Sequence, residues 1–138
     1  MRFSSPGQTA CSTLLVGEGI ETVLSLVTAL RGAALPETVA AAALSAGSLG
    51  AFVPPPGVSR LLIAQDRDAE GQRAALRLQL RCTRLGIGST VIVPDGGDFN
   101  DDLRALGTER LAQRLAMLAT LATPHRASNR TAAPMRKE

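Results

Sequence analysis

The stretch Arg60-Leu-Leu-Ile-Ala-Gln-Asp66-Arg-Asp68-Ala-Glu-Gly71 decides how this chain folds. An apolar run, Leu61, Leu62, Ile63 and Ala64, ends abruptly in Asp66 and Asp68, and a helical pattern follows. A short continuous apolar run bounded by charges suits a strand buried on both faces of a parallel sheet. In extended chain, side chains two positions apart point the same way, so Asp66 and Asp68 project together. Two neighbouring carboxylates repel, and a site that keeps both ionised usually supplies a cation. The competing reading is two solvated aspartates in an ordinary strand-to-helix turn, one of them capping the helix.

Upstream, Thr13-Leu-Leu-Val16 predicts a short strand that ends in Gly17-Glu18-Gly19, where the glycines let the backbone turn sharply beside a carboxylate. A helix is expected over 20–31, with Ile20, Val23, Leu24, Val27 and Leu30 at helical spacing and Gly32 as its stop. The apolar run 39–44 is assigned to a second strand, with a helix as the competitor because alanine is a poor strand former. Ser45-Ala-Gly-Ser-Leu-Gly50 reads as a small-residue turn, either facing an anion or simply connecting. Pro54-Pro-Pro-Gly57 is a rigid surface link.

The central strand is expected over 60–65 and a helix over 69–85. The inward stripe of that helix is assigned to Ala75, Leu78, Cys82 and Leu85, flanked by Leu76, which makes Cys82 a core residue. Arg73, Arg77, Arg81 and Arg84 fall on the other side, four guanidiniums along one exposed face. Such a stripe is either a solvated face or a surface that tracks phosphates, and no acid partners these arginines within it. Downstream, 89–93 predicts a further strand and Pro94-Asp95-Gly-Gly97 a turn. Asp98-Phe-Asn100-Asp101-Asp102 then packs acids and an amide together, as helix caps or as a third acidic group for a metal site. A last amphipathic helix is expected over 108–121, with Leu111, Leu115 and Leu118 as its stripe.

The domain plan is therefore a flexible lead-in over 1–12, one folded domain over 13–121 and a basic, disordered tail over 122–138 carrying Arg126, Arg130, Arg136 and Lys137. At 138 residues and 45% hydrophobic, one domain can bury a full core, and with three Phe and neither Trp nor Tyr that core is aliphatic. The shortage of aromatics argues against a single-strand binder of the stacking type. A net charge of +3 is compatible with a polyanionic partner. Cys11 and Cys82 show neither metal-ligand spacing nor a disulfide framework, so a cytoplasmic location is expected. No segment has the length or apolarity of a membrane span or a signal peptide.

Strands alternating with helices predict an α/β fold, a mainly parallel sheet of about four strands with helices on both faces. In such sheets functional groups gather beyond the carboxyl ends of the strands. Glu18, Asp66 with Asp68, and Asp98 each follow a predicted strand and would emerge at that one edge. Acids converging with neither His nor Cys nearby point to a hard, oxygen-ligated ion such as Mg²⁺. The lone His125 lies in the tail and is read as inert. Neither a Walker-type loop nor a dinucleotide glycine motif is present, and nucleophile motifs are missing, so metal-assisted phosphoryl chemistry is the best enzymatic fit.

Four segments in this order, Glu18-Gly-Ile-Glu-Thr, Leu44-Ser-Ala-Gly-Ser-Leu, Asp66-Arg-Asp68-Ala-Glu-Gly71 and Gly97-Asp-Phe-Asn-Asp101, resemble those of the Toprim domain. That domain is shared by bacterial-type DNA primases, topoisomerases and some nucleases. The nearest resemblance is to the Toprim domains of phage and plasmid DNA primases and primase-helicases, over about 13–106. It implies a compact, Rossmann-like parallel sheet whose acids coordinate Mg²⁺ or Mn²⁺. Glu18 matches the family's glutamate, a metal ligand or general acid/base; Asp66 and Asp68 match the metal-binding pair, and Asp98 the later acid of the primase-like branch. Glu21, Asn100 and Asp101 lie in matching segments. The implied partners are DNA or an RNA–DNA duplex, nucleoside triphosphates, and a helicase or primase catalytic partner. A zinc-binding region, a further polymerising lobe and a helicase domain are missing from the pattern, so primer synthesis is expected to need another domain or chain. A Toprim-type nuclease and a non-catalytic nucleic-acid-binding remnant are the rival expectations.

Overall fold

The computed structural model describes residues 2–3, 13–32 and 38–121. The expected tail over 122–138, with His125, and Cys11 in the expected lead-in lie outside the described residues. Along the chain run β1 (Arg2–Phe3), β2 (Thr13–Gly17), α1 (Ile20–Gly32), β3 (Thr38–Ala42), α2 (Ala46–Gly50), β4 (Arg60–Ala64), α3 (Ala69–Arg84), β5 (Gly88–Ile92) and α4 (Phe99–Leu121). The sheet order is β1-β3-β2-β4-β5. Strands β3, β2, β4 and β5 are parallel, and the two-residue β1, within the stretch expected as a lead-in, pairs antiparallel with β3.

Strand β4 shows why the sheet forms. Leu61, Leu62, Ile63 and Ala64 are all fully buried. Alternation sends Leu61 and Ile63 into one core with Leu14, Val16, Leu49 and Leu78, beneath α2 and α3. Leu62 and Ala64 turn into the other core with Leu15, Leu26, Phe99 and Leu115, beneath α1 and α4. A strand with no polar face must be covered twice, and the helices do so. The α/β expectation holds, and the alanine-rich segment 38–42 is a strand because its flat pairing surface lies between β1 and β2.

The helices depart from expectation in four places. The small-residue segment expected as a turn contains a short helix, α2, capped by the Ser45 side chain, which accepts from Ser48 N at 3.0 Å. On α3 the buried face is Gly71, Ala74, Ala75, Leu78 and Cys82, while Leu76 and Leu85 are exposed. Leu85 sits past the last helical turn as the C-cap and so cannot continue the stripe. On α1 the buried side chains include Val23, Leu26, Ala29 and Leu30, and Ile20 and Leu24 face outward. The helix expected over 108–121 is preceded by a further helical segment from Phe99, and Gly107, at φ 76°, breaks the two apart in a conformation that suits only glycine. Placing a second helical piece here carries Phe99 into the core below the sheet.

Leu62→Ala should lower stability by about 2–5 kcal/mol, because the rigid sheet cannot close over the cavity. The urea midpoint should fall with the slope unchanged. A loss of less than about 1 kcal/mol would contradict the central, doubly covered position of β4.

Candidate functional site

The parallel register aligns Gly17, Ala64 and Ile92 as the last residues of adjacent strands β2, β4 and β5. Glu18, Asp66 and Asp98 come after those ends, so the fold delivers them to one edge of the sheet. Strand β3 ends on the same line at Ala42. From there the Ala43 and Leu44 amides donate to the Gly17 and Glu18 carbonyl oxygens, each at 2.8 Å. Leu44 has φ 74°, a left-handed backbone unusual for a bulky side chain, and its side chain is exposed. The backbone carrying Glu18 is thus pinned by β3 rather than left in a free loop.

Glu18 and Asp66 meet. Burial pushes the Glu18 carboxyl above the ordinary carboxylate range; a side-chain hydrogen bond with Asp66 and the charges of Asp66, Asp68 and Glu70 push it the same way. Glu70 is an acid to which the sequence pattern alone gave no role. Its place in the first turn of α3, two residues after Asp68, was the available signal. Asp68 is the N-cap of α3, its Oδ1 accepting from Gly71 N at 2.6 Å. The capping role is the one seen for this aspartate, and it engages one carboxylate oxygen. Gly71 makes the turn possible: a Cβ there would lie 2.9 Å from the Asp66 carbonyl oxygen.

Asp98 plays a similar capping part at α4, where its Oδ1 accepts from Asp101 N at 2.8 Å. It is exposed, and Asp101 is exposed beside it, with Asn100 half-buried. Glu21 is exposed in the first turn of α1. Asp102, which the sequence placed in the acidic run without a role of its own, is only 3% exposed. Its carboxylate accepts from Asp95 N (2.9 Å) and Gly96 N (2.7 Å) and pairs with Arg114 at 3.3 Å. Arg114 also reaches Asp95 at 3.1 Å and the Val93 carbonyl at 2.7 Å. From the other side Arg67 donates to the Gly96 carbonyl at 2.8 Å and, more weakly, to that of Asp95 at 3.3 Å. The 94–97 turn that leads into Asp98 is therefore held from α4 and from the β4–α3 loop together. Asp102 shares the buried side of α4 with Phe99 three residues earlier, a helical spacing that distinguishes it from Asp101.

The arginine face is divided as well. Arg73, Arg77 and Arg84 are exposed, but Arg81 is half-buried and donates to the Gly50 (2.7 Å) and Phe52 (2.9 Å) carbonyl oxygens. It closes the end of α2, so the expected stripe of four free guanidiniums contains three.

Among the described residues no three side chains of His, Cys, Asp and Glu stand together as a finished metal cage. The ion pairs among the described residues are those of Arg114, and no described cation pairs with Glu18 or Asp66. All the donors are carboxylate oxygens, the set that a hard divalent ion takes, and Mg²⁺ commonly binds through one or two carboxylates and keeps its remaining waters. The residues present fit such an ion.

Because folding raises the Glu18 pKa, protonation at Glu18 favours the fold at low pH, and that contribution is lost as pH rises through the folded value. Glu18→Gln should therefore raise the Tm of the metal-free protein by about 1–3 °C at neutral pH. The gain should shrink as pH falls below the ordinary carboxylate range and approach zero near about pH 3, where the carboxyl is neutral in both states. Scanning calorimetry across this pH range checks it, and a variant less stable than wild type at neutral pH would contradict the electrostatic account of the pair.

No curated protein matches the chain. The model of the Toprim domain matches residues 13–109, well over half of it, and spans β2 to the break in α4. Toprim domains in general bind a divalent metal and process nucleic acids. With Glu18 and Asp66 joined at the ends of adjacent parallel strands and the family model covering both, this chain belongs to the Toprim domain family.

Proposed function

We propose that this Toprim domain is of DNA-primase type and serves nucleotidyl transfer in replication, together with a domain or partner that supplies the rest of the polymerising machinery. The observation that carries the reading is the Glu18–Asp66 carboxyl pair, uncompensated by any described cation at the ends of β2 and β4. Mg²⁺ or Mn²⁺ would be held by Glu18 and Asp66, with Asp68 and Asp98 contributing from their helix caps. When bound, such an ion neutralises charge developing on a triphosphate or a phosphodiester. Glu18, whose proton affinity is raised, is suited to hold or move a proton at its carboxyl. Glu21, Asn100 and Asp101, in the first turns of α1 and α4, would take a lesser role. The exposed Arg73, Arg77 and Arg84 offer phosphate contacts to DNA or an RNA–DNA duplex. Arg81 acts through α2 instead. The primase assignment rests on the order and wording of the motifs, above all Gly97-Asp-Phe-Asn-Asp101. No described helix is long and apolar enough to cross a membrane.

Purified protein should bind a fluorescent nucleoside triphosphate in a Mg²⁺-dependent manner. Asp66→Asn/Asp68→Asn should weaken that binding at least about tenfold. Supercoiled plasmid should stay intact. Metal-dependent nicking abolished by Asp68→Asn would replace the primase reading with a nuclease. Salt-sensitive DNA binding that ignores both metal and the acids would replace it with a binding module.

A further inference from the structure

Strand β5 closes one side of the sheet, and among the described residues nothing pairs with its outer edge. Gly88 N donates to the Ser59 carbonyl and the Ile92 carbonyl accepts from Gln65 N, so Gly88, Thr90 and Ile92 turn their backbone groups to β4. By alternation Ser89 and Val91 turn theirs outward. Natural edge strands are commonly protected by charge, proline or a cover. Here Gly86-Ile-Gly-Ser-Thr-Val-Ile-Val93 contains neither a charge nor a proline. Beside it α3 exposes Leu76 (56%) and Leu80 (52%), one helical turn apart. A groove of about 330 Å³ runs between Leu80 and Thr83 of α3 and residues 86–89.

We propose that β5 pairs antiparallel with β5 of a second copy, about a two-fold axis at Thr90, making one continuous sheet. In that register Ser89 lies opposite Val91 of the partner subunit, and each such pair exchanges both of its outward N–H···O bonds. Ile87 lies opposite Val93 of the partner subunit, which brings that exposed valine to the groove. The axis keeps both α3 helices on the same face, so Leu76 and Leu80 meet their symmetry mates. Charge selects this occupant. Arg84 is exposed just before β5, and Asp95 lies just after it, paired with Arg114 through one oxygen but with 72% of its side chain still exposed. Antiparallel pairing sets Arg84 beside Asp95 of the partner subunit at both ends, whereas parallel pairing would oppose like charges. The inference rests on the β5 edge, the α3 face beside it and the flanking charges, and is independent of the metal reading.

Sedimentation equilibrium on the full chain, from about 5 to about 200 μM, tests it. A reversible dimer of the 14.3 kDa chain is expected. Ser89→Pro removes an outward N–H without touching the β4 ladder, so it should keep the native circular dichroism and raise the dimer Kd at least about tenfold. Should that variant fail to fold, the surface changes Arg84→Glu and Leu80→Asp carry the test and should each weaken the dimer. A monomer throughout the range, a larger assembly, or a dimer indifferent to the folded variants would overturn the proposal.

Discussion

Two carboxyl groups, those of Glu18 and Asp66, are forced together by strands that have no freedom to move apart. Strands β2 and β4 are neighbours in a parallel ladder, and their residues are buried on both faces. The acids follow at the carboxyl ends, where backbone turns must be made and helix N-termini begin. Burial first, then the hydrogen bond and the like charges of its neighbours, raise the proton affinity of Glu18, so keeping it ionised in such a place costs stability. The hydrophobic cores above and below the sheet offset that cost. A cation would remove it, and this is how a stable scaffold comes to hold an unstable pair of charges.

The other charged residues near this edge hold its loops in place. Asp102 binds two backbone amides of the 94–97 turn and takes Arg114 as its counter-ion. Arg67 reaches the same turn from the β4–α3 loop. Asp68 and Asp98 each start a helix with one oxygen. A capped helix N-terminus also lends its partial positive charge to nearby acids, so the caps support the acidic cluster as they shape it. Removing Asp102 would leave the Asp95 and Gly96 amides without their acceptor, a costly kind of loss, while Arg114 would keep Asp95 and the Val93 carbonyl.

The fold was legible because the apolar run Leu61–Ala64 has no polar face, and such a strand implies a parallel sheet with two helical layers. The placement of Glu18, Asp66 and Asp68 at one edge of the sheet was legible because each follows a strand end. The roles that escaped depend on rotation and distance that sequence spacing leaves open. Arg81 shares its spacing with Arg77 and Arg84, yet a few tens of degrees around α3 bring it to the carbonyls that end α2. Asp102 looks like Asp101 in sequence, and only the burial of Phe99 fixes which of the two turns inward. Helix α2 was hidden by its glycines and serines, which are weak helix formers unless a cap and a covering layer hold them.

The most direct test of the central pair is paramagnetic broadening by Mn²⁺ of amide resonances, comparing wild type with folded Asp66→Asn/Asp68→Asn. The expected result is broadening confined to residues around Glu18, Asp66 and the start of α3, lost in the double variant and reversed by excess Mg²⁺. Equal, diffuse broadening in both proteins would mean that the acids at this edge serve structure alone.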